Sequence, residues 1–397
     1  MARSARVWCS PNRQMAMYTS RAVAGTFALA ALAAACSDSA GPVERSPELP
    51  RFAQLAPAAP SSGITLDQVN GTLGESGQIL AKGFNPTNPH QGDAIVATFY
   101  WKGSASIDSV TDVITDAQFT KVGNTYTLLE YVTSGGWSMA TYVATNVQNF
   151  PDPNTDPGQG DILALRAYLS APVEDGGVTI SAWTGVNTFT AYSVGAHGSA
   201  SGADSGIVAV GPGSIPIGAG ALAYGVTMSN TLAGRDPPAG FTRLGVGSDA
   251  QIVNETDYAL QSAVGSVDPQ WTWFWGSQSA WLTTVIALNP PLHLAFAVQP
   301  STTLPLLTIQ PAVQVAVVDA LGNRVTSFSG QVTIAIEHNG GTLLPGTLSG
   351  TKTVTVVNGV GTFADLSIDQ PGNGYTLVAT VPNLFTAESA PFNIGAF

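Results

Sequence analysis

The sequence predicts an all-β protein, and three observations support this prediction. Of the 397 residues, 43 are glycine and 26 are proline but only 10% are charged, so turn formers are abundant and helix-forming Lys and Glu are scarce. Apolar runs of strand length recur along the chain, bounded by Gly, Pro, Asn and Asp. No stretch of the sequence shows the apolar period of an amphipathic helix. We therefore expect many short strands joined by turns.

The amino-terminal segment differs from the rest of the chain in its charge and apolar content. Four arginines and no acidic residue precede an unbroken run of small and apolar residues at 22–35. This run is shorter than the ~20 apolar residues that a transmembrane helix needs, and Cys36 follows it directly. Basic, apolar and small-residue regions in this order are typical of a secretory signal peptide.

The small residues before Cys36 resemble the lipobox of bacterial lipoprotein signal peptides, although Ala33 stands where that motif more often has Leu. The resemblance implies that residues 1–36 form a lipoprotein signal peptide ending at the lipobox cysteine, and that Cys36 carries the lipid. The alternative is an ordinary signal peptide cleaved nearby, with Cys36 incidental. We therefore expect an exported protein, lipid-anchored to the bacterial outer membrane or the cell surface.

The mature chain is expected to have no free thiol and few basic residues. Cys9 would be lost with the signal, so we expect neither a disulfide nor a cysteine-based site. All 26 acidic residues follow the apolar run but 4 of the 14 basic residues precede it, which leaves 10 basic residues and a net charge of −16. This balance argues against nucleic acid and anionic headgroups as partners, because both require clustered Lys and Arg. Membrane contact is expected through the lipid anchor only.

Three further regions follow the signal peptide. Residues 37–62 are rich in Pro, Ala and Ser without an apolar period, which predicts a flexible tether. Residues 63–290 contain roughly nine strand-like runs, which predicts a jelly-roll-like β-sandwich. These runs are 94–101, 125–132, 136–144, 162–169, 177–185, 219–228, 256–264, 270–275 and 281–288. The consecutive prolines after Asn289 end this region because they cannot continue a strand.

Residues 292–397 contain a second, smaller set of strand-like runs. Their number, roughly seven, and their spacing predict an immunoglobulin-like β-sandwich. The runs are 293–298, 312–318, 331–336, 353–357, 360–363, 375–381 and 392–394. Between two of them, Asn358 and Gly359 form the dipeptide typical of a type I′ hairpin turn.

The segments LAFAVQPS, PAVQVAVVDALGNRVTSFSGQVTIAI, VNGVGTFADLSI and GYTLVAT resemble the bacterial immunoglobulin-like domains of adhesin-type surface proteins. The similarity extends over nearly all of 293–395, and the Asp-x-x-Gly-Asn turn at 319–323 is its most specific part. The resemblance implies a spacer or adhesion module without catalytic residues. Through GDAIVATFYW, GVTISAWTGV, AGFTR and AWLTTVIAL, the preceding region more loosely resembles jelly-roll domains of uncharacterised secreted bacterial proteins.

One loop has the oxygen ligands of a calcium site. Asp152, Asn154, Asp156 and Asp161 lie close together, and carboxylate and amide oxygens are the ligands that Ca²⁺ prefers. The pattern departs from the EF-hand loop, because Leu163 stands in place of its final bidentate Glu. The alternative is a solvated, Pro-rich turn between strands. Calcium is the only cofactor that the sequence raises.

A row of tryptophans marks a second candidate site. Trp271, Trp273 and Trp275 alternate along one predicted strand, so their side chains point to the same face. An exposed row would form an apolar platform on which sugar rings stack. A buried row would be the aromatic core of the sandwich, and this is the outcome that we expect.

The sequence contains no evident catalytic constellation. Glu130, Glu174, Asp175, Glu255 and Asp257 could pair as acid and base, but we interpret them as solvated surface acids. The four histidines lie far apart and lack the spacing of a zinc motif. We expect a non-enzymatic surface lipoprotein that binds a glycan or a surface protein, with the immunoglobulin-like domain as a spacer. The alternatives are a secreted glycan-active hydrolase or lyase, and a purely structural envelope protein.

We predict that Cys36→Ser abolishes lipid attachment and releases the protein in soluble form, because the thiol is the acceptor of the lipid. Metabolic labelling with a fatty-acid analogue and membrane fractionation measure both effects. Cys9→Ser is the control, and it should leave both unchanged. A membrane-bound, labelled Cys36→Ser protein would contradict the lipobox assignment.

Overall fold

The computed structural model describes residues 63–85, 87–148, 162–319, 322–382 and 386–395. All of them belong to one unit, Glu48–Phe397. Antiparallel strands provide nearly all of the regular structure, and the described ranges contain one helix, the four-residue α1 (Thr190–Ser193). The predicted all-β sandwich class is confirmed. Cys36, the tether 37–62 and the loop 152–161 lie outside the described residues.

The first half of the N-terminal sandwich is a six-stranded sheet. Its strands are β1 (Thr65–Gly83), β2 (Ala94–Lys102), β3 (Ile107–Ile114), β4 (Thr127–Ser134), β5 (Trp137–Ala144) and β6 (Leu163–Thr184). The order is β1-β6-β2-β5-β4, and β3 pairs with β6 beside this path. β1 has 19 residues and β6 has 22, and the two strands are paired from end to end. The two separate strands predicted at 162–169 and 177–185 are therefore one strand.

The second half follows α1 and forms another six-stranded sheet. The strands of this half are β7 (Val194–Val210), β8 (Ile215–Ile217), β9 (Leu222–Ser229), β10 (Gly234–Asp236), β11 (Thr242–Ser248), β12 (Val253–Leu260), β13 (Gly265–Val267) and β14 (Trp271–Leu288). The order is β7-β14-β9-β12-β11, and β10 pairs with β14, whereas β8 and β13 form a separate ribbon. The predicted strands 270–275 and 281–288 are again one long strand.

The two halves repeat one topology. In each half, a long first strand pairs with a long last strand, which pairs in turn with the second strand, and a short strand joins the long last strand at its other end. β1, β2, β3, β4, β5 and β6 thus correspond to β7, β9, β10, β11, β12 and β14. The sandwich predicted as jelly-roll-like is therefore a tandem, in which each sheet comes from one continuous half of the chain.

The two sheets pack face to face around a shared core. This core includes Val96, Tyr100 and Trp183 from the first sheet, and Tyr224 and Leu282 from the second. The edge strand β1 contacts β11, and the opposite edge strand β4 contacts β7. Because these two contacts exchange when the halves are exchanged, the tandem has an approximate twofold arrangement.

Each sheet is also covered on its outer face by its own long strands. Register shifts interrupt the pairing of β1 with β6 and of β14 with β7, and such bulges bend a strand. The first covering layer consists of β3 with residues 79–83 and 163–169, and it packs aliphatic side chains on the outer face of β2 and β5. The second consists of β10 with residues 206–210 and 271–275, and it packs on β9 and β12.

The tryptophan row forms the inner surface of the second covering layer. Trp271 and Trp273 are fully buried and Trp275 is 3% exposed. Their indole N–H groups donate hydrogen bonds to oxygen atoms of the underlying strands, at Asp257 (2.7 Å), Thr227 (3.3 Å) and Ser229 (3.0 Å) respectively. Gly225 makes room for the row, because a Cβ atom there would lie 2.9 Å from the Trp271 ring. A sugar platform requires exposed ring faces, so this row is core, as expected.

The C-terminal sandwich has a core of its own. Its strands are β15 (His293–Val298), β16 (Val313–Val318), β17 (Gln331–Ile336), β18 (Leu348–Ser349), β19 (Thr353–Thr355), β20 (Val360–Phe363), β21 (Ser367–Ile368), β22 (Gly372–Tyr375), β23 (Leu377–Thr380), β24 (Ala387–Glu388) and β25 (Phe392–Ile394). They pair only with one another within the described residues, and they enclose one apolar cluster. The predicted hairpin turn is confirmed, because Asn358 and Gly359 have φ values of 50° and 75°.

An aromatic side chain contacts both sandwiches. Tyr192, in α1, stacks on Phe328 at 4.9 Å between ring centroids, and its hydroxyl donates a hydrogen bond to the carbonyl oxygen of Ser329 (3.0 Å). Asn289, at the end of the N-terminal sandwich, donates from its side chain to the carbonyl oxygen of Tyr192 (3.0 Å).

None of the described residues forms a helix long and apolar enough to cross a membrane.

We predict that Trp273→Ala destabilises the protein by about 3–5 kcal/mol, because it removes a buried indole that stacks on Trp275 at 5.4 Å. Phe274→Ala is the control, since Phe274 lies next to it on the same strand but is 39% exposed. The control should change stability by less than about 1 kcal/mol. Urea denaturation followed by circular dichroism measures both, and equal small effects would contradict the burial of the row.

Candidate functional site at the junction of the sandwiches

A pocket of about 400 Å³ lies where the chain passes from the first sandwich to the second. Its wall consists of the turn 90–93 before β2, the loop 184–188 after β6, and residues 291–292 of the connection. We call it the junction pocket. It lies at one end of the first sheet, where β1, β2 and β6 begin or end.

Two local backbone features bring two acidic side chains together at this end. Asp67 is the extra residue of a bulge in β1, because Leu66 and Gln68 pair with the neighbouring residues Trp183 and Ala182. A bulge redirects the side chain at its position, and bulges recur next to functional sites. Asp93 follows Gly92, whose φ of 92° allows the tight turn into β2.

His90 joins these acids in one cluster. Asp67 Oδ2 accepts a hydrogen bond from the His90 backbone N–H (3.1 Å) and lies 3.0 Å from His90 Nδ1. The same N–H also donates to Asp93 Oδ2 (3.0 Å). Asp67 and Asp93 are buried, at 6% and 1% exposure, whereas the His90 side chain is 40% exposed. The cluster therefore reaches from the buried end of the sheet to the solvent.

Burial favours a proton on Asp93. It raises the pKa of Asp93 to about 7, and the hydrogen bond and negative charge of Asp67 act in the same direction. A hydrogen bond from Thr184 opposes part of this shift. Asp93 therefore gains or loses its proton close to neutral pH.

Asn187 contributes a further polar group to the wall of the pocket. This residue is 2% exposed, and its Oδ1 accepts a hydrogen bond from the Phe189 backbone N–H (2.9 Å). Its side-chain Nδ2 is buried and has no hydrogen-bond partner. A buried donor without a partner is costly unless a ligand or water oxygen accepts from it. Asn187 thus offers a donor that a water or a ligand oxygen could satisfy.

A second acidic cluster lies beneath the tryptophan row. Glu255 is buried between two arginines. Its Oε2 lies 2.7 Å from Arg235 Nε, and its Oε1 lies 3.0 Å from Arg243 Nε. Asp257, two residues further along β12, is also buried and accepts the indole hydrogen bond of Trp271. Burial, followed by the charge of Glu255, raises the pKa of Asp257 to about 7. Interpreting Glu255 and Asp257 as solvated surface acids is therefore wrong, because the covering layer removes both from water.

The other predicted acids are dispersed. Asp175 is buried at the far end of the first sheet, which also contradicts its interpretation as solvated, whereas Glu174 is exposed and pairs with Lys102. Glu130 binds His197 Nδ1 at 2.6 Å and accepts a hydrogen bond from Ser199. Because Ser199 contacts the carboxylate rather than the imidazole, this group lacks the serine–histidine contact of a nucleophilic triad.

Sequence reasoning missed the junction cluster. Asp67 and His90 are 23 residues apart, and no short motif joins them. The available signal was the pair Gly92 and Asp93 directly before the strongest strand-like run. The predicted calcium ligands Asp152, Asn154, Asp156 and Asp161 lie outside the described residues, and calcium binding there stays a prediction.

Comparison of this chain with protein-family models, with curated proteins and with solved structures gave no match.

We predict that Asp257→Asn makes stability less dependent on pH. The pKa of Asp257 is about 7 in the folded protein, against 3.8 in the unfolded chain. Protonation of Asp257 therefore stabilises the fold fully below about pH 4, and this stabilisation is lost as the pH rises to 7. The loss is at most about 4 kcal/mol, at about 1.4 kcal/mol per pKa unit. The variant should therefore gain stability relative to the natural protein between pH 4 and pH 8. Urea denaturation across this range measures the difference.

The matched control for this experiment is Asp236→Asn, which changes an exposed acid on β10 in the same covering layer. It should shift stability by a similar small amount at every pH. If Asp257→Asn behaves in the same way as the control, the buried acid does not hold its proton up to neutral pH.

Proposed function

We propose that this chain is a lipid-anchored protein of the bacterial cell surface that binds a polar ligand, a glycan segment, in the junction pocket without transforming it. The position of this pocket is the observation that carries the proposal. Binding sites are frequent where two domains meet, because the junction offers a concave surface lined by groups from both sides.

The lining of the pocket matches the chemistry of a sugar. His90, Gln91, Thr188 and Asn187 supply hydrogen-bonding groups, and Pro291 and Leu292 supply an apolar surface. Sugar hydroxyls both donate and accept hydrogen bonds, and the C–H faces of a sugar ring pack on apolar side chains. The buried Asn187 Nδ2 is a donor suited to one such oxygen.

The proposal places the chain outside the cell. The signal-peptide pattern before Cys36 and the resemblance of residues 293–395 to adhesin-type domains both support it. In this arrangement the tether 37–62 separates the folded part from the membrane. The C-terminal sandwich then acts as a spacer or as a second contact surface.

The two acid pairs favour binding over hydrolysis. Glycosidases use two carboxyl groups at least about 5 Å apart on either side of the bond that they cleave. Asp67 and Asp93 are hydrogen-bonded to each other, which is closer than that separation. Glu255 and Asp257 are near each other but lie beneath the tryptophan row, away from any substrate.

We predict that Thr188→Trp abolishes glycan binding, because Thr188 is an exposed residue on the pocket wall and an indole there would fill the cavity. The experiment probes the full chain on a glycan array and then measures affinity for the best glycan by calorimetry. The matched control is Ser104→Trp, which fills a different pocket, also of about 400 Å³. The control should bind as the natural protein does.

Three outcomes decide the proposal. Loss of binding in Thr188→Trp alone supports it. Equal binding by both variants, or no binding to any glycan, contradicts it. Shortening of the bound glycan, seen as newly formed chain ends, identifies the hydrolase or lyase alternative instead.

A further inference from the structure

We propose that Asp67, His90 and Asp93 bind a divalent transition-metal ion, with Zn²⁺ as the best match, on the inner wall of the junction pocket. Each residue offers one ligand atom, and the three atoms lie within 4.8 Å of one another. Atoms that bind Zn²⁺ at about 2.0–2.2 Å are less than 4.8 Å apart, so the three side chains would move closer together on binding. His90 is the most exposed of the three side chains, at 40%.

The types of ligand select the kind of metal. Ca²⁺ and Mg²⁺ prefer oxygen ligands alone, and Ca²⁺ takes six to eight of them. One imidazole with two carboxylates instead suits Zn²⁺ and related transition metals. Three protein ligands beside an open pocket leave a coordination position for water or for an oxygen of a ligand, as at sites where zinc is accessible.

The negative charge of the cluster also favours a cation. Two carboxyl groups are buried side by side; the His90 imidazole contacts Asp67, and no Lys or Arg is among the described residues that line the junction pocket. Buried carboxylates are stabilised by a proton, a basic partner or a metal ion. A divalent ion would neutralise both carboxylates at once.

Asn187 provides independent support. Its Nδ2 is buried on the wall of the same pocket and has no hydrogen-bond partner. An amide donor cannot bind the metal, but it can donate to a water or an anionic oxygen bound to the metal. Such outer contacts orient the ligands of metal sites. The cluster and the free donor therefore point to the same kind of occupant.

The chain contains a natural control for this site. His197 Nδ1 lies 2.6 Å from Glu130 Oε1, so this pair has the same imidazole–carboxylate contact as His90 and Asp67. It lacks the second carboxylate, since the other partner on Glu130 is the hydroxyl of Ser199. A metal that requires three ligands should distinguish the two places.

The test is calorimetric titration of the full chain with Zn²⁺ alone at neutral pH. We expect one strong site, and both His90→Ala and Asp93→Asn should weaken it by at least roughly tenfold. His197→Ala should leave it unchanged, and Ca²⁺ and Mg²⁺ should bind much more weakly than Zn²⁺. Circular dichroism of each variant checks its fold, and His90→Ala is informative even if Asp93→Asn does not fold, because His90 is partly exposed.

Titration with Co²⁺ adds a spectroscopic signature. Nitrogen and oxygen ligands give visible d–d bands without a thiolate charge-transfer band. A thiolate band would place the metal at Cys9 or Cys36 and would overturn the proposal. It would also be overturned by the absence of Zn²⁺ binding, or by binding that survives in both His90→Ala and Asp93→Asn.

Metal binding is measured without any glycan, so this inference does not rest on the proposed function. If Zn²⁺ binds and no glycan does, the metal site stands and the proposed function fails. If a glycan binds in a Thr188-dependent manner and Zn²⁺ does not bind, the proposed function stands and the metal site fails.

Discussion

The rest of the structure depends on one long bent strand pair in each half of the N-terminal sandwich, β1 with β6 and β7 with β14. Bulges interrupt the pairing, and beyond them each pair folds over the outer face of its own sheet. Central strands such as β2 and β9 are consequently buried on both faces. A region with few charges and no disulfide among its described residues thereby buries three apolar layers, and this burial is its main source of stability.

The same strand pairs determine where chemistry is available. At the junction end, the bulge at Asp67 and the turn at Gly92 bring two buried carboxyl groups together beside the space that the sheet does not fill. The connection to the C-terminal sandwich closes this space into a pocket. Burial, together with the negative charge of Asp67, then favours a proton on Asp93. The pocket and its charge preference thus follow from how the sheet ends.

The two halves have one topology but different chemistry. In the first half, Leu163 and Leu165 of the covering layer pack on aliphatic and aromatic side chains. In the second, the row from Trp271 to Trp275 packs on small and polar residues such as Gly225 and Thr227. Small residues leave room for indole rings, and their oxygen atoms satisfy the indole N–H groups. Beneath this covering layer, the buried Glu255 also pairs with Arg235 and Arg243. In the second half, polar contacts therefore replace part of the apolar packing.

The sequence by itself determined the all-β class, most strands of the C-terminal sandwich and the Asn358–Gly359 turn, because strand periodicity and turn chemistry are local properties. It did not reveal β1 and β7, whose many glycines and polar residues hide their pairing with β6 and β14. The tertiary structure alone decided that Trp273 is core, that Glu255 and Asp257 are buried, and that Asp67 meets His90 and Asp93. The reason is physical: burial and proximity depend on which face a bent strand covers, and the bend arises from pairing between residues far apart in sequence.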